Sequence, residues 1–367
     1  MQRETCVERD DWRGRVEALG FDFHTIDGDP YWREDVCYRF RAAEIDELES
    51  ATAELHGLCL EAVDRIVGAG RQAELGLDDH AARLVERSWR AREPALYGRM
   101  DIAWNGSDPP KLLEYNADTP TALFEASVVQ WDWLQSTRLR ADQFNSIHEK
   151  LIARWKVFST SEKIHFAACY EQPEDRATSE YLRDTAIQAG IVTAALDIED
   201  IGWSGRDFVD LDDQVISTLF KLYPWEWLLA EPFAQHIRKL ALRWIEPAWK
   251  MLLSNKAILP LLWEFFPQHP NLLPSAFARE RLQGVVVRKP RWGREGEGVI
   301  VLESGSNETA GDAAAIYQQF SELPRMGDRY ALIGSWVIGD EPAGIGMRED
   351  ADRITRNTSA FVPHYFE

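Results

Sequence analysis

Between residues 160 and 220 short apolar runs alternate with an amphipathic stretch, and this alternation restricts the fold more than any other feature of the chain. Lys163–Cys169 (KIHFAAC) and Ile191–Leu196 (IVTAAL) are apolar runs of strand length, and Gln214–Leu219 begins a third. Glu174–Gly190 (EDRATSEYLRDTAIQAG) lies between the first two and has helical spacing. Parallel strands cannot be joined by a tight turn; they need a crossover, usually a helix. Strand, helix and strand in this order therefore predict a βαβ unit on a parallel sheet.

The flanks read differently. Residues 40–90 predict helices, with Leu48, Leu55, Leu58, Leu60, Val63 and Ile66 on an apolar stripe. Tyr97–Trp104 and Lys111–Asn116 read as strands joined by the turn formers NGSDPP, a hairpin. ADTPTALFEASVVQWDWL then predicts a helix capped by Thr119 or Thr121. Residues 253–266 predict a helix interrupted at Pro260. Gly284–Lys289 and Gly298–Leu302 predict strands around a glycine-rich loop, and Ala331–Ile338 with Ala343–Arg348 a second hairpin. The expected class is α/β (α+β) in three parts: a helical 1–150 carrying a hairpin, a βαβ unit over 151–250, and an α+β region over 251–367.

Charge excludes some partners. A net charge of −20 gives no basic face to displace counterions, which argues against nucleic-acid and anionic-membrane binding. No apolar run reaches membrane-span length and the N-terminus lacks an apolar signal core, so a cytoplasmic protein is expected. Cys6, Cys37, Cys59 and Cys169 match neither zinc spacing nor a disulfide framework and read as free thiols. The 15 tryptophans, with paired carboxylates, suit a sugar-cleaving site, but most sit among apolar neighbours and read as core.

The first hairpin carries the chemistry. Residues i and i+2 of a strand share a face. Arg99 and Asp101 therefore share one face, and Glu114 and Asn116 one face of the partner strand. In the simple register all four meet, giving two carboxylates and an amide oxygen, donors that Mg²⁺ accepts beside phosphate and water. The same alternation also describes an ordinary half-exposed strand. The loop in VVVRKPRWGREGEGVIVL brings backbone N–H groups and Lys289 to where an anion could sit, yet it matches neither a Walker loop nor a dinucleotide fingerprint. A plain polar hairpin fits it equally. Lys256, within an apolar stretch, reads either as a functional cation or as a snorkelling surface lysine.

At this point the motifs WREDVCYRF (32–40), YGRMDIAW (97–104), KLLEYNADTPT (111–121), VISTLFKLYPWEW (215–227), SNKAILPLLW (254–263), RKPRWGREG (288–296), YQQF (317–320) and GIGMRED (344–350) together resemble the glutathionylspermidine synthase family, in its branch of short acid–amine ligases. The resemblance implies an ATP-grasp-type, glutathione synthetase-like fold. Its middle part would be pre-ATP-grasp-like, and its outer parts, 1–150 and 251–367, would build the nucleotide site. It implies ATP and Mg²⁺, two ions, and a small-molecule or peptide acid joined to an amine through an acyl phosphate. By motif, Arg99 and Arg348 resemble the arginines at the transferred phosphoryl group, and Asp101, Glu114 and Asn116 the metal ligands. Lys256 and Lys289 resemble the phosphate lysines, and Glu295 and Gly296 the loop over the phosphates. Arg99, Asp101, Gln318, Gln319, Phe320, Ser321, Arg353, Ile354 and Thr355 complete the implied nucleotide contacts. Thr119, Thr121, Glu174 and Asp175 fall where the family holds its acid or amine. Two departures stand out: Lys221-Leu222-Tyr223 replaces a hydroxyl-bearing motif, and Ala360 stands near the place of an expected acidic residue. The bifunctional members carry a further N-terminal amidase domain, for which this chain has no room, so no amidase activity is expected of it. A nucleotide-binding module with weak ATPase activity is the alternative expectation.

Overall fold

The computed structural model describes residues 1–158, 162–237, 242–294, 296–305 and 314–367. Strand β1 (Gln2–Thr5) pairs antiparallel with β2 (Val36–Phe40), an edge that the helical reading of the first 150 residues lacks. Their register leaves Cys6 Sγ 3.0 Å from Cys37 Sγ, both as free thiols. Helix α1 (Ala42–Ala69) buries Leu48, Leu55, Val63 and Ile66 on the expected stripe, with Leu58 and Leu60 at its half-buried rim. It ends at Gly70, whose φ of 68° is the left-handed cap position that glycine takes without strain. Helix α2 (Asp79–Arg90) starts where the Asp78 carboxylate accepts from the N–H groups of His80 and Ala81.

Strands β3 (Tyr97–Ala103) and β4 (Lys111–Asn116) form the expected antiparallel hairpin. The following helix is not capped by Thr119 or Thr121. Ala122, at φ 63°, precedes its first residue, Leu123. The threonines are engaged elsewhere: Thr119 Oγ1 accepts from Arg294 at 2.6 Å, and the Thr121 carbonyl accepts from Arg99 at 2.6 Å.

The parallel sheet is present. Strand β5 (Ile164–Ala168), helix α3 (Pro173–Gln188) and strand β6 (Thr193–Asp197) form the βαβ unit. Strands β7 (Thr218–Leu222) and β8 (Arg243–Ile245) extend it in the order β8-β7-β5-β6. The third strand starts four residues later than Gln214, whose N–H is held in a turn by the Asp210 carboxylate. Helices α4 (Met251–Ser254) and α5 (Ile258–Phe265) replace the single helix, and the break is at Asn255–Ala257 rather than at Pro260. Pro260 lies in the first turn of α5, where a helix has no acceptor for its N–H. Asn255 makes the break, its Oδ1 accepting from Ala257 N and its Nδ2 donating to the Leu75 carbonyl.

Strands β9 (Val286–Pro290), β10 (Ile300–Leu302) and β11 (Ala315–Gln319) form an antiparallel sheet with the glycine-rich loop between β9 and β10. The second hairpin, β12 (Arg329–Ile338) and β13 (Glu341–Asp350), is longer than expected. With β14 (Ala360–Val362) it joins the first hairpin in the order β14-β13-β12-β3-β4. Strand β15 (His364–Phe366) lies parallel to β2. Trp32, Trp133, Trp155, Trp225 and Trp336 are fully buried, so these tryptophans are core. No helix among the described residues is long and apolar enough to cross a membrane.

Buried ion pairs fasten the sheets together. Glu246, fully buried just after β8, accepts from Leu96 N at 3.0 Å, Tyr97 N at 2.9 Å and Lys250 Nζ at 2.9 Å. Lys250 also donates to the Tyr97 carbonyl. Lys221, at the end of β7, donates to Asp118 at 2.7 Å, and the other Asp118 oxygen accepts from Trp225 N. Removing one member of such a pair strands a buried charge and costs about 3–5 kcal/mol. Glu246→Ala is therefore expected to lower unfolding free energy by about that much, measured by urea denaturation. A loss under 1 kcal/mol would show that the brace is not structural.

Candidate active site

The hairpin register sets Asp101 opposite Glu114 and Arg99 opposite Asn116, as the alternation requires. On the other side of β3, Gly334 of β12 lies opposite Asp101, Gly346 of β13 lies opposite Gly334, and Arg348 lies opposite Leu332. Directly opposed residues share a face. One face of the sheet thus carries Asn116, Glu114, Arg99, Asp101 and Arg348 around two glycines. The glycines make the space: a Cβ on Gly334 would lie 2.9 Å from Arg99 Cδ, and one on Gly346 would lie 2.8 Å from the Phe361 ring. A small cavity opens over this floor, lined by Arg99, Asp101, Glu114, Asn116 and Arg348.

The polar groups are tied to one another. Arg99 Nε donates to Asp101 at 2.8 Å, and Asn116 Nδ2 donates to Glu114 at 3.0 Å. Lys256 Nζ lies 2.9 Å from Glu114 Oε2 and also donates to the Gly293 carbonyl at 2.6 Å. This lysine sits in the α4–α5 break and is 6% exposed, so it does not snorkel. Lys289 Nζ, from β9, donates to Gln318 Oε1 and the Leu113 carbonyl, each at 2.7 Å. Burial alone would raise the Glu114 carboxyl, but Lys256 and Lys289 overcome it and hold the group at about 2. Burial raises the Asp101 carboxyl against the pull of Arg99, and the Glu114 charge adds to the rise. Burial lowers the Lys289 ammonium to about 8, opposed by Glu114.

A second cavity adjoins the first and shares Asp101, Glu114, Gly296 and Thr355 with it. Its walls include Lys289, Gln318, Gln319, Phe320, Ser321, Arg353 and Ile354, beside the apolar side chains of Val287, Val299, Val301 and Leu332. The residues assigned to nucleotide contact by motif thus come together from β9, β11 and the segment after β13. Lys256 reaches the site through Glu114 rather than through this wall. Gly296, at φ 74°, lets the loop close on that segment, since a Cβ there would lie 2.7 Å from the Thr355 carbonyl. Glu295 lies outside the described residues.

A third, wider cavity of about 850 Å³ opens on the other side of the arginines. Thr119, Thr121, Glu174 and Asp175 line it, as do Glu171, Asp197, Glu199 and Asp200, so its wall is strongly acidic. Arg294 is the basic residue of that wall and also borders the central cavity. Its guanidinium donates to Thr119 Oγ1, lies 3.3 Å from Glu226 and stands 5.4 Å from the Trp227 ring centre. The sequence reading passed over Arg294, although it lies two residues before Gly296 in the loop that reading singled out. Asp118 was also passed over; its buried bond to Lys221 holds the Thr119–Thr121 segment against the parallel sheet.

The donors suit magnesium only as a shared ligand set. Among the described residues no cluster of three or more His, Cys, Asp and Glu side chains converges on a metal position. Two carboxylates and an amide fit an ion that takes its remaining ligands from phosphate and water, which is the usual Mg²⁺ arrangement at nucleotides.

The chain is similar to known proteins along nearly its whole length. Residues 3–367 match the family model described as glutathionylspermidine synthase pre-ATP-grasp. A Haemophilus influenzae protein provisionally named acid–amine ligase is 43% identical over 98% of this chain and 97% of its own length. Trypanothione synthetase of Crithidia fasciculata is 26% identical over 84% of this chain, and the bifunctional glutathionylspermidine synthetase/amidase of Escherichia coli 26% over 95%. The match spans 53% and 61% of those two longer proteins. The solved structure of a glutathione synthetase-like effector from Globodera pallida superposes with a TM-score of 0.59 at 13% identity, covering 90% of this chain and 89% of that one. The fold is glutathione synthetase-like, as the sequence resemblance implied.

Burial of Lys289 gives a direct test of the site. In the ligand-free protein its ammonium is expected to lose its proton with a midpoint of about 8, far below an ordinary lysine. Carbon-13 NMR titration of labelled lysines, with Lys289→Met for assignment, reads this. A midpoint at the ordinary lysine value would refute the enclosed position.

Proposed function

This chain belongs to the glutathionylspermidine synthase pre-ATP-grasp family, and on that premise we propose that it is an ATP-dependent carboxylate–amine ligase. One observation carries the reading: a row of arginine and carboxylate groups separates a lysine-walled cavity from an acidic one. ATP lies in the first, its base beside Gln318–Ser321 and Arg353–Thr355 and its phosphates toward Lys256, Lys289 and the Gly296 loop. The sheet of the two hairpins and the glycine-loop sheet form the nucleotide-binding unit, and the parallel sheet is the pre-ATP-grasp part.

Phosphoryl transfer asks a protein for position and charge neutralisation rather than covalent chemistry. Arg99 and Arg348 stand where a carboxylate from the acidic cavity would meet the terminal phosphate. Their charge stabilises the phosphoryl group as it passes to the acid, and an acyl phosphate results. Asp101, Glu114 and Asn116 would hold Mg²⁺, two ions in our reading, which supplies further neutralisation at the phosphate oxygens. The Gly296–Thr355 contact helps keep water from the acyl phosphate. An amine then attacks the acyl carbon, phosphate leaves, and an amide remains. Glu174, Asp175 and the neighbouring carboxylates attract the amine as its ammonium form, and Thr119 and Thr121 border the acid.

Magnesium-dependent ADP release, assayed against acids crossed with amines, tests the reading. An acid–amine pair is expected to raise the rate well above ATP alone and to yield a condensed mass. Asp101→Asn and Glu114→Gln should each lower that rate by about 10²-fold or more while leaving the circular dichroism spectrum unchanged. Wild-type turnover in either variant would remove the metal assignment. ATP binding without stimulation by any pair would remove the ligase.

A further inference from the structure

Glu125 is a buried acid for which the phosphoryl-transfer machinery has no use. It is the third residue of the helix after the Thr119–Thr121 segment, where a short π-helical stretch begins, and is fully buried. Its Oε1 accepts from the Tyr31 hydroxyl at 2.7 Å, while its Oε2 has no partner among the described residues. Tyr31 lines the wide acidic cavity. The Arg348 guanidinium stands 5.3 Å from the Tyr31 ring centre and donates to the carbonyls of Ser359, Arg356 and Asn357. From α3, Glu174 faces the same place, with its Oε1 buried and unpartnered. Among the described residues the charged groups around Glu125 are therefore Glu174 on one side and Arg348 beyond Tyr31, with no cation bonded to the carboxyl. Burial raises the Glu125 carboxyl to about 7, the Glu174 charge adds to the rise, and the Tyr31 hydrogen bond opposes it.

A primary amine reaches this cavity as an ammonium ion and has no lone pair until one proton leaves. We propose that Tyr31 and Glu125 form the relay that removes this proton, Glu125 acting through Tyr31 as a positioning residue with a proton-holding role. The inference rests on the ligase reading. The step balances as follows. The ammonium gives one proton to the Tyr31 oxygen while the Tyr31 O–H proton passes to Glu125 Oε1. The neutral amine attacks the acyl carbon, the C–N bond forms, and the bond from carbon to the phosphate oxygen breaks. The second nitrogen proton leaves with phosphate. Glu174, at the cavity wall, favours the ammonium on arrival and the protonated form of Glu125 after transfer. The relay needs Glu125 ionised, so amine transfer rises with pH as that carboxyl loses its proton.

The test uses Glu125→Gln and Tyr31→Phe in the full chain, with spermidine and hydroxylamine as amine probes and the acid that supports ADP release. Hydroxylamine is already neutral at neutral pH and needs no relay. With spermidine the wild type is expected to lose rate below about pH 7. Each variant should lose this pH dependence and turn over about 10²–10⁴-fold more slowly. With hydroxylamine the gap should shrink to a few-fold. A variant that keeps the wild-type profile, or that loses equally with both amines, overturns the relay. A readout without substrate accompanies it: the infrared carbonyl band of a protonated carboxyl, titrating near pH 7 and absent in Glu125→Gln. Its absence from the wild type also overturns the proposal. If no acid–amine pair releases ADP, the ligase reading itself fails; the band then marks a buried acid without this role.

Discussion

Two carboxylates face each other across the last two strands of a sheet, and much of the architecture answers that repulsion. Asp101 and Glu114 are opposed by register in a buried site, an arrangement that destabilises a strand pair unless cations compensate. The compensation comes from three different elements. Arg99 is on the same strand, Lys256 comes from the break between two helices, and Lys289 from the neighbouring sheet. A site held by long-range charge pairs needs its sheets fixed relative to each other. The Glu246–Lys250 and Lys221–Asp118 braces supply that at the joints between the parallel sheet and the hairpin.

Space at the site is made by omission. Gly334 and Gly346 stand opposite one another in adjacent strands, and their missing side chains leave the hollow over which Arg99 and Arg348 act. Gly296 plays a similar part at the rim, where the loop and the segment after β13 touch through backbone. Glycine in a strand ordinarily weakens it. Here the flanking Trp336, Leu332 and Phe361 keep the sheet packed around the gap.

Local periodicity made much of this legible in the sequence. The period-2 face of YGRMDIAW against KLLEYN gave Arg99, Asp101, Glu114 and Asn116 before any coordinates, because a hairpin with an obvious turn has few registers. The βαβ unit followed from crossover length. Long-range contacts were what the sequence hid. Nothing local marks Cys6 as the neighbour of Cys37, Arg294 as the partner of Thr119, or Tyr31 as the partner of Glu125, since these pairs meet only through sheet order and chain crossing. Pro260 misled for the opposite reason: a strong local rule was applied without the helix boundary that Asn255 sets. Thr119 and Thr121 looked like caps because a threonine before an apolar run has cap chemistry, yet the Thr119 hydroxyl accepts from Arg294 and the Thr121 carbonyl from Arg99.

The site also divides charge in a way that suits joining an acid to an amine. On the side proposed for the nucleotide, Lys256 and Lys289 hold the Glu114 carboxyl at about 2, and a phosphate there would meet positive charge. On the other side the wall carries Glu171, Glu174, Asp175, Asp197, Glu199 and Asp200 with Arg294 beside them, and there a cation is favoured. In the proposed reading a carboxylate substrate sits between the two, beside Arg99 and Arg348 of the central cavity, with Arg294 bordering both spaces. In the proposed reaction, phosphorylation removes the anionic charge from that carboxyl group and places it on phosphate, on the lysine side. In that proposal the acyl carbon is next to the acidic wall, where an ammonium is favoured and must first give up a proton.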